Sequence, residues 1–557
     1  MSYFYPPDQQ ALFTNRESEL SQLAHYRQGL HAGSVEHVAM FGLRRIGKTL
    51  LLKEFIRRTL AEDRKAAPVY MDFSYLSSSP ENFALGYAGQ ICYWLLERGE
   101  SDPEPFLSAG TLPSAVLQAR SPELHAALQP LLRELDKARP DRQALLRQAF
   151  RFPREAGAAM RRKLLLIFDE FQEIRTLTNF PNSRNAIALF RAELQSQSGS
   201  LYILAGSAVS VLTELLADAR SPLFGQFVRL PVSPFGRDAT GVLVRKLTSN
   251  QAGPDLWPLI HDLTDGHPFY ITALCRRLVN LVDVTDRPME RDTVKQAFIA
   301  ETLAPFGRIY DFCRYVYDLS LQKAVGYGSL KAVLQILATE EGLTASQAAR
   351  RLRVTSATAT DYLRWLREVD LIIERDRRYY YRDPVLRFWV ANVVRGVEVG
   401  LTAEPLDLAG LIARLDAQFQ RAAVELGTAQ ESRVRELMRR FAGQTVDGSL
   451  LGQGGPVTLP IFDKVDEYVS PDGQVQLDAL AETADGRQWA VEVKWRNKRP
   501  GLKELESLNK RARSLSAQAW FVSRAGFSAD ALAYARRRKM FVSDGGAIEA
   551  LNALTKV

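Results

Sequence analysis

The residues Gly42-Leu43-Arg44-Arg45-Ile46-Gly47-Lys48-Thr49 place two glycines, a lysine and a hydroxyl at the spacing G-x-x-x-x-G-K-[ST]. The chemistry of that spacing is phosphate binding. Gly42 and Gly47 let backbone N–H groups turn onto a nucleotide's phosphates, Lys48 can reach the β/γ oxygens, and the Thr49 hydroxyl can hold Mg²⁺. The stretch from Gly42 to Leu50 is therefore the expected cradle for ATP or GTP, with ATP and Mg²⁺ as the expected cofactors. A second group follows the apolar run Lys163 to Phe168, which ends in Asp169-Glu170. Asp169 is expected to hold Mg²⁺ through its water shell, and Glu170 to orient or deprotonate the attacking water. A solvated turn is the alternative reading of this pair. Ser207, after the run Leu201 to Gly206, is a candidate sensor of the γ-phosphate.

A separate constellation lies near the C-terminus. Gln488-Trp489-Ala490-Val491-Glu492-Val493-Lys494-Trp495 alternates with period two, placing Trp489, Val491, Val493 and Trp495 on one face and Glu492 and Lys494 on the other. The upstream run Gln474 to Glu482 reads as a partner strand, joined through Ala484-Asp485-Gly486, a strong hairpin turn. This pairing brings Asp478 beside Glu492. Two carboxylates can hold a hard cation, Mg²⁺ or Mn²⁺, and Lys494 can position the attacking water. Asp478, Glu492 and Val493 are the expected metal ligands. Glu431 precedes an apolar stripe of Val434, Leu437, Met438 and Phe441, so a carboxylate stands on an inward face, where it needs a partner or a metal.

These groups need elements to hold them. A strand must precede the glycine loop and a helix must follow; His37 to Phe41 and Thr49 to Ile56 read as such. Apolar strands recur at Val35 to Phe41, Pro68 to Phe73, Leu164 to Phe168 and Leu201 to Ala205, separated by helical patterns, which predicts a parallel sheet with helices on both faces. Asn15 or Ser18 is expected to cap a helix carrying Leu20, Leu23 and Leu30. Residues 75–160 read as a helical insertion broken at Ser101-Asp102-Pro103-Glu104-Pro105. In Asp265-Gly266-His267-Pro268, Gly266 makes a turn, His267 reads as a packed residue and Pro268 starts a helix.

Further on, Thr344 is expected to cap one short helix, and Thr355 to Val369 forms a second with Ala359, Leu363 and Leu366 on one face. Leu371 to Arg382 reads as a hairpin turning at Arg375 to Arg378. Two helices and a hairpin resemble a winged helix. In that role Thr358, Thr360, Asp361 and Arg364 would face a groove, with Arg364, Arg377 and Arg378 as nucleic-acid contacts. Equally, the module can pack on the nucleotide domain as a regulatory lid.

At 557 residues, 46% hydrophobic and 24% charged, the chain is globular and predicts three or four domains. Cys92, Cys275 and Cys313 are far apart, and neither they nor the six His residues show metal-ligand spacing. That composition leads to an expected cytoplasmic location. No apolar stretch approaches the ~20 residues needed to cross a bilayer, so no membrane partner is expected. Net charge +8 and a pI near 9.2 permit nucleic acid as a partner. Between Arg487 and Arg513 nine Lys or Arg stand against three Glu, and Arg536-Arg537-Arg538-Lys539 adds a second basic run, together a candidate track for a phosphate backbone.

The loop Gly42 to Thr49, the Asp169-Glu170 pair, Ala205-Gly206-Ser207 and Gly266-His267-Pro268-Phe269 together resemble the archaeal-type ATPases of the STAND branch of AAA-related NTPases, over residues 10 to 395. Relatives often carry an Arg after the Gly of the Pro222-Leu223-Phe224-Gly225 segment, where this chain has Gln226; Arg220 and Arg229 are the nearby candidates for an arginine finger. Helix, hairpin and E-x-K strand resemble the PD-(D/E)XK nuclease superfamily over residues 415 to 550, with Leu477 in place of the name-giving Pro. The two resemblances imply an α/β multidomain chain: a P-loop ATPase domain at 1–240, a helical lid at 241–325, a winged helix at 326–398 and a restriction-endonuclease-like α/β domain at 399–557. They imply ATP hydrolysis controlling a nuclease whose catalytic residues are Asp478, Glu492, Lys494 and Glu431, acting on DNA in defence or repair. The contrasting expectation is an ATP-regulated binding protein with a silent nuclease fold. A homo-oligomer or a regulatory protein partner suits either.

Overall fold

Alternating apolar runs and helical segments close into a parallel sheet because each buried strand needs helices on both faces. The computed structural model describes residues 4–76, 79–197, 199–322, 327–393, 410, 412, 430–431, 433–470, 475–495 and 499–555. The chain divides into two units, 1–408 and 409–557. The boundaries expected at 326 and 398–399 lie outside the described residues.

In the first unit, β1 (His37–Phe41), β2 (Ala66–Asp72), β3 (Lys163–Asp169), β4 (Ser200–Gly206) and β5 (Phe227–Pro231) form a sheet of order β2-β3-β4-β1-β5. Every pair is parallel. The loop strand β1 and the carboxylate strand β3 are thus separated by β4, and the C-terminal ends of all three meet at one edge. β5 is a fifth strand that the apolar runs do not announce. It is an edge strand with Val228 and Arg229 exposed, so it carries no continuous apolar run.

The helix after the N-terminal segment runs from Glu17 to Ala32, and neither Asn15 nor Ser18 caps it. Arg16 holds the cap position at φ 76 without a capping side chain. Its guanidinium instead reaches Glu19 Oε1 at 3.0 Å and the carbonyl of Ile46 at 3.1 Å. Glu17 and Glu19 in the first turn balance the helix dipole in place of a cap.

The insertion is helical, with Pro80–Leu96, Pro122–Leu135 and Arg142–Ala159 as its main helices. It is a structural crossover between β2 and β3. Phe83, Tyr87 and Phe150 are fully buried and meet Phe73, Phe168 and Phe190. Fully burying each such ring contributes about 1.5–3 kcal/mol, which anchors the insertion to the sheet.

Beyond residue 327, Thr344 forms a capping box with Gln347 at the start of the helix Ala345–Leu352. Ser356–Glu368 follows, with Ala359, Leu363 and Leu366 buried. β6 (Ile372–Arg375) and β7 (Arg378–Tyr381) pair antiparallel around Asp376 and Arg377, both at positive φ, the geometry of a two-residue hairpin turn.

The second unit contains a small ribbon, β8 (Thr445–Asp447) with β9 (Pro456–Thr458), and a five-stranded sheet. In it β10 (Lys464–Val469), β11 (Gln476–Glu482), β12 (Gln488–Lys494), β13 (Gln518–Ser523) and β14 (Phe541–Asp544) lie in sequence order. β10 to β12 are antiparallel; β13 and β14 are added parallel through the helices Leu502–Ser514 and Ala529–Arg537. Both faces are covered. Trp489, Val491 and Val493 pack with Val434, Leu437, Met438 and Trp520 on one side. Ala490 packs with Leu505, Leu508 and Phe521 on the other.

Candidate functional site

The glycine loop is shaped by close approach. A Cβ on Gly42 would meet the Val232 carbonyl at 2.7 Å, and Gly47 sits at φ +98, a region that L side chains rarely adopt. The helix Lys48–Glu62 starts directly after Gly47, so its free N–H groups open at the loop. Arg44, Arg45, Gly47, Lys48, Thr49, Leu50, Glu170 and Ser207, with Phe312 and Tyr315, line a cavity of about 430 Å³. Leu43 and Ile46 act from behind the loop. The Leu43 carbonyl accepts from Lys48, and Ile46 is fully buried with its carbonyl bound by Arg16.

Lys48 is 5% exposed and donates to the carbonyls of Gly42 at 2.9 Å and Leu43 at 3.0 Å. Burial lowers its pKa to about 8, against the pull of Glu170 and Asp169. Thr49 Oγ1 donates to Asp169 Oδ2 at 2.6 Å, and Tyr70 donates to the same oxygen at 3.1 Å. A hydroxyl and a carboxylate brought together beside a phosphate loop are the donor set Mg²⁺ requires. Bound there, the ion would neutralise phosphate charge.

Glu170 leaves β3 at φ 49. Ser207 Oγ donates to Glu170 Oε2 at 2.8 Å, and the Gln172 amide donates to the same oxygen. Burial pushes the Glu170 carboxyl up, but the bonds from Gln172 and Ser207 and the Lys48 charge outweigh it, leaving the group below the usual carboxylate range. It is ionised at neutral pH. Ser207, expected as a γ-phosphate sensor, here holds the carboxylate that faces the cavity. Gly206 makes room for this pairing, since a Cβ there would meet the Gln172 side-chain oxygen at 2.4 Å.

Several groups at the site carry no motif of their own. Phe312 and Tyr315 come from the helix Arg308–Gln322; Arg44 donates to the Tyr315 hydroxyl at 3.0 Å, and Arg45 lies over Phe269 and Phe312. His267 is the packed turn residue the sequence predicts, yet its Nε2 lies 3.0 Å from the Arg44 carbonyl. Burial lowers its pKa to about 4, so it is neutral. Arg220 pairs with Asp218 and Arg229 lies over Phe41; neither lines the cavity.

The helix–helix–hairpin module uses its polar groups at home. Arg364 pairs with Asp361 at 2.9 Å, Thr360 donates to Ser356, and Arg378 donates to the Gly342 carbonyl at 2.7 Å. Arg377 is exposed at the turn. Asp370 reaches the helix Val209–Ala217, accepting from the Ser210 N–H and hydroxyl, each at 2.8 Å. This contact lies three residues beyond Ser207.

In the second unit Asp478, Glu492, Lys494 and Glu431 come near one another. The β11–β12 register ends at Ala479 opposite Val491, the residues next to Asp478 and Glu492, and Asp478 Oδ2 accepts from the Val493 N–H at 2.7 Å. Against β10 the register slips between Asp466 and Tyr468, a bulge on β11 at Asp478 and Ala479 that re-aims the carboxylate. Burial raises the pKa of Asp478, and Glu492 adds to it. Burial also raises Glu431, with Asp478 adding. The arrangement differs from a preformed metal cage. Glu492 is 8% exposed, with Oε1 paired to Lys494 at 2.6 Å and Oε2 paired to Arg511 at 3.0 Å. Among the described residues no three of His, Cys, Asp and Glu are grouped to hold a metal. Arg511, from the helix Leu502–Ser514, stands in the basic stretch but nothing in its spacing singles it out.

Residues 13–274 match a family described as an ATPase domain predominantly from Archaea, so this span carries an ATPase domain of archaeal type. No curated protein matches the chain. Among solved structures, the Walker-type ATPase of Pyrococcus abyssi is similar at 19% identity and TM-score 0.45, covering 68% of this chain and 96% of its own. The Aeropyrum pernix ORC2 protein, solved with ADPNP and ADP, is similar at 17% identity and TM-score 0.42, covering 69% and 97%. The Thermotoga maritima RuvB Holliday junction branch migration motor follows at 14% identity and TM-score 0.34, covering 68% and 95%. Among the described residues no helix is long and apolar enough to cross a membrane.

Two measurements test the nucleotide site. Phosphates facing Lys48 would raise its pKa above the value of about 8 in the free protein, so ATP binding takes up a proton only above that pH. ATP affinity measured by calorimetry should be flat from pH 6 to about 7.5 and weaken by up to about ten-fold per unit above about 8. Lys48→Ala should lose about 10- to 100-fold in affinity and the pH step with it. Glu170→Gln should bind ATP as wild type does while single-turnover hydrolysis falls by about 10²–10⁴.

Proposed function

With an archaeal-type ATPase domain as the premise, we propose that the chain is a STAND-like ATPase in which nucleotide binding and hydrolysis control a C-terminal, Mg²⁺-dependent nuclease acting on DNA. Supporting the nuclease is the convergence of Asp478, Glu492, Lys494 and Glu431 on a mixed sheet whose order and crossovers suit a PD-(D/E)XK domain. In this reading Asp478 and Glu492 hold Mg²⁺ or Mn²⁺, the Val493 main chain fixes the Asp478 carboxylate, Glu431 supports the metal or a water, and Lys494 positions the nucleophile. Defence and repair both suit an ATP-gated nuclease.

For residues 326–398 we propose a winged helix acting as a regulatory lid. The Asp370–Ser210 bonds support this over groove reading, because they tie the module to a helix that begins beside Ser207.

One observation favours the second reading, a silent nuclease fold that only binds. Both Glu492 oxygens are already paired with cations. A plasmid cleavage assay with Mg²⁺ or Mn²⁺, with and without ATP, separates the two. Cleavage that needs a divalent ion and falls by a comparable large factor in Asp478→Ala, Glu492→Ala and Lys494→Ala is expected, because metal and nucleophile act as a unit. Plasmid bound but uncut under every metal and nucleotide condition would leave the binding protein.

A further inference from the structure

We propose that an open cavity at the N-terminal edge of the ATPase sheet, opposite the nucleotide, binds the phosphate backbone of a nucleic acid. The cavity, of about 800 Å³, lies where β3 and β4 begin and Lys65 leads into β2. His31, Lys65, Arg154, Arg161, Arg162 and Lys163 line it, and no Asp or Glu does. β3 runs seven residues from Lys163 to Asp169, so this cavity and the Mg²⁺ ligands stand about 20 Å apart on one strand.

Part of this charge has a structural task. Lys163 donates to the Leu30 carbonyl at 2.6 Å, at the C-terminal end of the helix Glu17–Ala32; Arg162 donates to the Arg64 carbonyl at 3.1 Å; His31 pairs with Asp63 at 2.6 Å. The other three do not. Lys65, Arg154 and Arg161 are exposed and form no ion pair among the described residues. Arg161 is presented by a tight turn at φ 51, closed by the Arg162 N–H on the Gly157 carbonyl at 2.9 Å. A Cβ on Gly157 would meet the Arg162 carbonyl at 3.0 Å, so this glycine lets the turn close.

Concentrated, uncompensated cations in a concave site attract a polyanion. The His31 imidazole, paired with Asp63, is the only aromatic ring in the lining, so the cavity lacks the row of aromatic side chains on which successive bases stack. Recognition therefore rests on phosphates and is independent of sequence. Inorganic polyphosphate offers the same chemistry, and the test separates the two sources.

The full-length protein in EDTA, so that no strand is cut, is titrated by anisotropy with a labelled single strand of about 20 nucleotides across a salt series. Lys65→Gln with Arg154→Gln and Arg161→Gln removes three charges worth about 0.7 each, so the slope of log affinity against log salt should fall by about two, with a loss of about ten-fold or more at low salt. ATP turnover equal to wild type shows that the triple variant folds. A strand carrying an azidophenacyl group on one phosphorothioate should crosslink to peptides spanning 153–163 in wild type and not in the triple variant. Unchanged affinity and slope, or crosslinks confined to residues after 409, would overturn the proposal. Binding of tripolyphosphate that the triple variant loses, with oligonucleotide binding the same in both proteins, would overturn it in favour of free polyphosphate. Neither readout depends on cleavage, so a silent C-terminal unit leaves the test intact.

Discussion

The hydrogen bond from Thr49 to Asp169 is the contact on which the nucleotide site depends. It joins the end of the glycine loop to the end of β3, two elements that are 120 residues apart in sequence and not neighbours in the sheet. β4 lies between β1 and β3, so the three strand ends must finish at the same level for the bond to form. That levelling comes from parallel registers running through Val38, Ile203 and Ile167. The buried aromatic cluster beneath β3 and β4 makes it rigid, because close-packed rings leave little room to slide.

Charge balance then sets the state of each group. Lys48 is desolvated but faces Asp169 and Glu170, and its ammonium is satisfied by two loop carbonyls. Glu170 is kept ionised by donors from Gln172 and Ser207. The same neighbourhood extends outward through Ser210 to Asp370, where a carboxylate from the hairpin module meets the start of the helix Val209–Ala217. Asp370 supplies the acceptor for the Ser210 N–H that the helix's own cap residue, Ala208, lacks.

The second unit answers the same electrostatic problem differently. Glu492 is buried, and an isolated buried carboxylate is costly, so Lys494 from its own strand and Arg511 from a crossing helix enclose it. Asp478 is instead held by a main-chain N–H and left with a raised pKa. Two neighbouring carboxylates are thus held in different ways, one enclosed by two cations and the other by a main-chain donor.

What the sequence by itself determined is what short-range rules govern. The glycine loop, the runs that became β1 to β4, the hairpin turning within Arg375 to Arg378, the Thr344 cap and the alternation that separates Trp489, Val491 and Val493 from Glu492 all follow from spacing within a few residues. Such spacing sets backbone geometry directly. Tertiary structure alone decided the rest. β5 is an exposed edge strand with no apolar run to mark it. Arg16, rather than Asn15 or Ser18, stands at the cap position, and its guanidinium bonds a carbonyl thirty residues away. Arg511 reached Glu492 through a helix crossing, the β11 bulge at Asp478 arose from pairing with β10, and the insertion became part of the core because its aromatics pack both on one another and on the sheet. These are contacts between residues distant in sequence, whose partners exist only once the chain has closed on itself, and local pattern carries no record of them.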